Sequence, residues 1–370
     1  MNIIIVNGFD TYEHRVDLLF KFFTDKGHNV RVLTSNFRHF EKTKRAEEKT
    51  GYQFFEAKPY YKNLSYQRLK SHILLSKDIF CYLDTINDKI DILWVLIPPN
   101  SFAKDAADYK KRHNTTKLIF DLIDLWPETM PIGSMKKYFP FTIWRNLRDK
   151  NLKYADSIFT ECDLYRNKLA NVLCGIETQT LYLARPLIPY EPHLDLPDER
   201  INLCYLGSIN NIIDIDAVAK IIFNFKKRQS VELHIVGDGE RKDELIAAVK
   251  KVGASVVFHG KIYDRTEKQK IFDSCHYGLN IMKQSVCVGL TMKSMDYLEF
   301  GLPIINNIKG DTWIAVDQYA IGINMEKYDE DDFEHYSIQK RLNARSFFEN
   351  NLSERVFEDK LLSIIDEIKE

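Results

Sequence analysis

Several absences narrow what this chain can be. Its six cysteines, Cys81, Cys162, Cys174, Cys204, Cys275 and Cys287, include no C-x-x-C pair. That spacing argues against a disulfide framework or a zinc site and suits a reducing compartment. No apolar run approaches the roughly 18 residues of a membrane span. Met1-Asn2 leads straight into Ile3-Ile4-Ile5-Val6, which is too short for a secretory core segment and reads as a first buried strand, so a cytoplasmic location is expected. The turn Asn7-Gly8-Phe9-Asp10 is not the G-x-G-x-x-G of a dinucleotide enzyme. There is no internal repeat, no low-complexity tract and no RNA- or DNA-binding signature, so no nucleic-acid partner is expected. Asp214-Ile215-Asp216 has the spacing of a metal-binding D-x-D, yet it opens an apolar-periodic helix where aspartates suit the dipole. Neither metal nor cofactor is expected.

What is present indicates two α/β halves. The 370 residues exceed what one core usually serves. The net charge of −1 conceals an asymmetry, because residues 1–190 hold 29 Lys and Arg against 22 Asp and Glu, whereas the remainder holds 23 against 31. A basic first half suits an anionic surface or a phosphorylated substrate, and equally a solvated charged surface. Short apolar runs at Ile3–Asn7, Val30–Thr34, Ile90–Ile97, Leu118–Ile123 and Ser157–Thr160 alternate with helical patterns, as in a parallel sheet. A polar, proline-bearing stretch from Arg185 to Arg200 interrupts the pattern. Strand-length runs then resume at Ile201–Leu206, Val231–Val236, Val256–His259, Tyr277–Met282 and Pro303–Asn307. The expected organisation is a domain over 1–190, a linker over 191–200, a second domain over 201–350, and a last helix in 351–370 that packs back on the first domain. Two facing Rossmann-like domains would place ligands at the carboxyl ends of their strands, in an interdomain cleft.

One stretch carries the most chemistry. Cys287-Val288-Gly289-Leu290-Thr291-Met292-Lys293-Ser294-Met295-Asp296 joins a glycine-bearing loop to a helix start with a lysine in its first turn. The first amides of a helix lack partners inside it and favour an anion. Thr291 can cap the helix or bond a phosphate oxygen, Lys293 adds a full charge, and the Asp296 carboxylate suits two adjacent ribose hydroxyls. An N-capped core helix with a surface lysine is the plainer alternative. Other glycine-bearing turns follow strands too: Gly8, Gly207-Ser208, Gly237-Asp238-Gly239 and Gly260-Lys261, with Asp124 at another strand end.

With these motifs the chain resembles the GT-B-fold, family 4-like glycosyltransferases of bacterial capsule, exopolysaccharide and O-antigen assembly. The signposts are Asp124-Leu125-Trp126-Pro127-Glu128, the turn Val236-Gly237-Asp238-Gly239-Glu240, the Gly260 loop, and Lys293-Ser294-Met295-Asp296-Tyr297 with Gly301 and Pro303. Tyr61 to Ser65 with Arg68, Ser71 and His72 resembles the acceptor side of a subset of these enzymes. The resemblance implies transfer of a sugar from a nucleotide-sugar donor to a lipid-linked saccharide acceptor, with retention and without a protein nucleophile. It implies that Asp296 holds the ribose, that the amides of Gly289, Leu290, Thr291 and Met292 meet the diphosphate, and that Lys261 lies near the base. It adds Gly8, Ser208, Asn210, Gly237 and, as a substitute cation, Arg15 to the donor set. Asp124 and Lys293 become the catalytic candidates, and Asn63, Arg68 and His72 the acceptor-binding ones.

Two departures from the family pattern stand out. Val288 occupies the place of the usual glutamate eight positions before Asp296, and Gly207-Ser208-Ile209-Asn210-Asn211 lacks the usual arginine and lysine. The missing arginine and lysine leave room for a catalytically silent sugar-binding partner, whereas the acid lost at Val288 counts against the other alternative, a nucleotide-sugar 2-epimerase, which needs several acids around the sugar. Basic residues around the aromatics of Lys58 to Lys77 suit the interfacial zone of a membrane, so peripheral contact with the anionic inner face of a plasma membrane is expected. A helix packed on the first sheet explains the same pattern.

Overall fold

The computed structural model describes residues 1–62, 64–130, 132–196, 199–325, 336 and 338–369. The chain divides into two compact units, Met1–Ala184 with Phe357–Glu370, and Arg185–Val356.

The first unit is built on β1 (Asn2–Asn7), β2 (Asn29–Ser35), β5 (Tyr52–Phe55), β6 (Ile92–Ile97), β7 (Lys117–Leu122), β8 (Ser157–Thr160) and β9 (Thr178–Thr180), with a small antiparallel pair, β3 (Phe37–Arg38) and β4 (Thr43–Lys44), between β2 and β5. The large sheet is parallel throughout in the order β5-β2-β1-β6-β7-β8-β9. Its central strands read as unbroken apolar runs because both faces are covered. Ile4 and Val6 join one core with Leu93, Val95 and Ile97, while Ile3 and Ile5 join the other with Ile92, Trp94 and Leu96. The two-residue period of a strand thus divides one hydrophobic run between two cores. Helices Tyr66–Leu83 and Asn100–Arg112 supply the first core. Helix Glu13–Asp25 supplies the second, together with Phe357, Leu361 and Ile365 of the last helix, Glu354–Lys369.

The second unit holds β10 (Arg200–Leu206), β11 (Ser230–Val236), β12 (Ser255–Gly260), β13 (Tyr277–Asn280), β14 (Ile304–Asn306) and β15 (Gly322–Asn324). These form a parallel sheet in the order β12-β11-β10-β13-β14-β15. Asp214 accepts the amide of Ala217 at 3.0 Å and caps the helix Ile215–Lys226, which accounts for the D-x-D spacing there. Among the described residues no group of three or more His, Cys, Asp or Glu gathers into a metal site, and no helix is long and apolar enough to cross a membrane.

Three of the four edge strands of the large sheets depart from the sequence reading, while β12 lies where Val256–His259 was expected. β5, β9 and β15 carry no long apolar run, and the first two are only half-buried, so hydrophobicity alone does not mark them. Conversely, Ile281, Met282 and Asn307 lie beyond their strands, where the chain turns away at the sheet's carboxyl edge.

Arg15 requires a correction. Instead of serving as a cation for the donor, it lies buried in the first unit, where Nε and Nη2 donate to the two carboxylate oxygens of Asp121 at 2.9 Å each. Its Nη1 donates to the carbonyls of Leu181 and Tyr182, and Trp94 Nε1 donates to the same Asp121 at 3.1 Å. Asp121 was indistinguishable from a surface acid in sequence, but its strand position forces it into the core, where a guanidinium is its natural complement. Removing one member leaves an uncompensated buried charge. Asp121→Ala is therefore expected to cost about 3–5 kcal/mol in urea unfolding, and a loss below about 1 kcal/mol would contradict this account.

Candidate functional site

In the second unit the loops after β10, β11 and β12 interlock. Gly207 N donates to Val236 O, Gly237 N to Gly260 O at 2.7 Å, and Ile209 N to Asp238 O at 3.0 Å. Gly237 sits at φ 143°, and a Cβ there would lie 2.0 Å from the Gly207 carbonyl oxygen, so only glycine allows this approach. The polar side chains of the first loop are modest. Ser208 is exposed, and Asn210 turns its Oδ1 back to accept the amide of Ile212. Lys261 and Tyr263 stand exposed after Gly260, and Tyr263, absent from the sequence reading, offers an open aromatic face.

The helix expected near Thr291 runs Met292–Glu299. Thr291 is its N-cap: Oγ1 accepts the amide of Ser294 at 3.1 Å, and Ser294 Oγ accepts the amide of Thr291 at 3.1 Å, completing a capping box. The Thr291 hydroxyl also donates to Asn280 Oδ1 at 2.8 Å. Its hydrogen-bonding capacity is thus occupied within the unit, and of its two expected roles the structure assigns it capping. The amides of Met292 and Lys293 have no acceptor among the described residues. Two adjacent N–H groups without acceptors at the positive end of a helix favour an anion.

Lys293 lies in the first turn with its ammonium 4.5 Å above the Tyr205 ring. Burial lowers its pKa to about 8. Asp296 is largely buried but loosely held, with Arg185 Nη2 and Lys268 Nζ both 3.6 Å from its Oδ1. At that distance neither is a good hydrogen bond, so the carboxylate keeps acceptor capacity while sitting between two cations. Arg185 and Lys268 were not anticipated, since they lie 111 and 28 positions from Asp296 in the chain. Gly289 is buried, and its carbonyl accepts both the amide and the hydroxyl of Thr312, at 3.0 and 2.7 Å. Leu290 is half-buried and Met292 is exposed.

The first unit gathers a different set. Helix Tyr66–Leu83 buries Arg68, His72, Leu75 and Ile79 on one stripe, so Arg68 and His72 face inward. The Arg68 guanidinium lies 4.3 Å over the Trp126 ring, 5.5 Å from Phe9 and 5.6 Å from Tyr60. His72 stacks on Trp126 at 6.0 Å, and neither ring nitrogen has a partner among the described residues. Burial, then the nearby Arg68 charge, holds its pKa well below the usual histidine value, so it is neutral. Asn63, the third acceptor-side candidate, lies outside the described residues.

Asp124-Leu125-Trp126-Pro127-Glu128 turns out to organise this floor. Asp124 accepts the amide of Leu125 at 2.8 Å, Trp126 Nε1 at 2.7 Å and Thr129 Oγ1 at 2.6 Å. Burial raises its pKa, while these bonds oppose the rise. It closes its own loop, as a strand-end cap does. Glu128 accepts two bonds, at 3.1 and 3.0 Å, from the fully buried Arg148. Gly8 is explained by packing, since a Cβ there would fall 2.4 Å from Pro99 Cδ.

Residues 200–334 match the family described as glycosyl transferases group 1. No curated protein sequence matches the chain significantly. Solved structures match over its whole length. A sucrose-phosphate synthase from Thermosynechococcus elongatus has a TM-score of 0.71 at 11% identity, covering 100% of this chain and 99% of the other. The lipopolysaccharide outer core galactosyltransferase WaaB, in its apo form, has a TM-score of 0.65 at 13% identity, with 99% of each chain covered. HepE from Anabaena, in complex with UDP and glucose, has a TM-score of 0.63 at 11% identity, covering 99% of this chain and 100% of the other. The chain accordingly has the two-sheet α/β GT-B fold, and the stretch that matches the glycosyl transferases group 1 family lies within its second unit.

Proposed function

We propose that this chain is a glycosyltransferase that moves a sugar from a nucleotide-sugar donor to a lipid-linked saccharide acceptor in bacterial surface-polysaccharide assembly, with retention at the anomeric carbon. The observation that carries the reading is the first turn of helix Met292–Glu299, where two amides without acceptors among the described residues share one turn with Lys293, within the stretch that matches the glycosyl transferases group 1 family. Breaking a sugar–phosphate bond develops negative charge on the departing diphosphate, and fixed amides with one lysine stabilise that charge without reorganising. Asp296 then accepts from the ribose hydroxyls, and the exposed ring of Tyr263 suits stacking on the base. Departing phosphate, not a carboxylate, takes the acceptor's proton in this reading.

Acceptor recognition falls to the first unit. A guanidinium sandwiched by aromatic rings and a buried neutral histidine suit a polar, anionic group on the acceptor. Exposed aromatics support peripheral membrane contact at the inner face of the plasma membrane. Tyr61 and Tyr66 are 75% and 76% exposed beside Lys62, and Tyr138 and Phe139 are 67% and 78% exposed beside Lys137. Such aromatic and basic mixtures favour the headgroup zone of an anionic bilayer.

Four outcomes are expected. Purified protein should release free nucleoside diphosphate from one member of a UDP-, GDP- and dTDP-sugar panel when given a lipid-linked acceptor; tight binding without release would instead indicate a silent sugar-binding protein. Asp296→Ala should weaken nucleoside diphosphate binding about tenfold, the effect of losing a charged hydrogen-bond acceptor, and unchanged affinity in calorimetry would remove the ribose assignment. Because the Lys293 ammonium deprotonates near pH 8, affinity should hold below that pH and fall by up to about tenfold per unit above it, and Lys293→Met should flatten the profile. For the membrane, flotation with phosphatidylglycerol vesicles should recover the protein, and Phe139→Ser with Tyr138→Ser should reduce recovery. A wild-type chain that stays at the bottom of the gradient would rule out membrane contact.

A further inference from the structure

Three parallel strands of the second unit end on asparagine, and the three fall in register: Asn280 of β13 opposite Asn306 of β14, and Asn306 opposite Asn324 of β15. All three are buried. Their amides form one directed chain. Thr291 Oγ1 donates to Asn280 Oδ1 at 2.8 Å, Asn280 Nδ2 to Asn306 Oδ1 at 2.9 Å, and Asn306 Nδ2 to Asn324 Oδ1 at 2.8 Å. Asn324 Nδ2 then donates to Trp313 O and Asp317 Oδ1, both at 2.9 Å, on the helix Asp311–Tyr319. That helix returns the connection, because Thr312 gives its amide and hydroxyl to the carbonyl of Gly289, two residues before Thr291.

The chain is therefore closed on itself. It grips the loop ahead of helix Met292–Glu299 at Gly289 and at Thr291, and ties both points to the ends of three strands. Buried in-register positions in a parallel sheet ordinarily hold Val or Ile, and a self-satisfied amide contributes little net stability over an apolar residue there. What amides add is direction: Asn306 bonds its neighbours on both sides and also Ile308 through both its amide atoms, so the chain fixes the place of Asn280 and, through it, of Thr291 at the helix start.

We infer that Asn280, Asn306, Asn324 and Thr312 are positioning residues for nucleotide binding, holding the Met292 and Lys293 amides in place without touching the ligand. The inference builds on the nucleotide-binding reading of that helix start. Displacing a preorganised donor set by a fraction of an ångström costs substantial affinity, so breaking the chain at its centre acts on the ligand from two hydrogen bonds away.

The test measures binding of UDP, GDP and dTDP to the full chain by calorimetry, together with amide hydrogen exchange at Ser294 and Met295, whose N–H groups bond Thr291 Oγ1 and Thr291 O. Asn306→Ala is expected to weaken the bound nucleoside diphosphate roughly tenfold and to speed exchange at both amides. Thr312→Val, which keeps volume and removes the hydroxyl to Gly289, should shift both readouts the same way, and Thr312→Ser should restore them. If Asn306→Ala does not fold, the Thr312 pair decides the question alone. Wild-type affinity and unchanged exchange in Thr312→Val would overturn the positioning role while leaving the site intact. A wild-type chain that binds none of the three nucleoside diphosphates would instead overturn the reading of the site, and the inference with it.

Discussion

The hydroxyl of Thr291 ties the start of helix Met292–Glu299 to the sheet of the second unit. It accepts the amide of Ser294, which starts the helix, and donates to Asn280, which fixes that start to the sheet. A helix end buried without such partners would leave amides unsatisfied in an apolar setting. Here the capping box satisfies the amides of Thr291 and Ser294, and those of Met292 and Lys293 have no acceptor among the described residues. The same few bonds separate the part of the helix that belongs to the core from the part that is available to a ligand.

Both units bury polar groups in pairs. The first unit buries whole charges: Arg15 against Asp121, and Arg148 against Glu128 and Asp149. These pairs are retained at a desolvation cost that apolar residues would avoid. What they secure is geometry, since Arg148 anchors the loop that carries Trp126, and Trp126 is the surface on which Arg68 and His72 rest. The second unit buries charges too, Arg341 and Arg345 among them, and adds neutral amides at three strand ends, where orientation matters. Burial also lowers the pKa of Lys293.

Much of the fold was legible from residues alone. The central strands were visible because a strand covered on both faces must be apolar at every position, as Ile3 to Val6 and Ile92 to Ile97 are. The helix start at Thr291 was visible because capping is local chemistry, completed within three residues. Edge strands such as Thr178–Thr180 were not, because half-burial leaves no hydrophobic signature. Arg15 was misread for the opposite reason: a helix-start arginine has no sequence mark that distinguishes an open cation from one paired across 106 positions.

By itself the sequence determined the two alternating α/β halves, the loops at the strand ends and the helix that opens beside Lys293. All of these depend on neighbours within a few residues, where periodicity and capping act. Only the tertiary structure decided which polar groups remain available for a ligand. That is a matter of what folds against what, and it made Asp124 and Arg15 internal partners, set Asp296 between Arg185 and Lys268, and lined up three asparagines from separate strands behind one threonine.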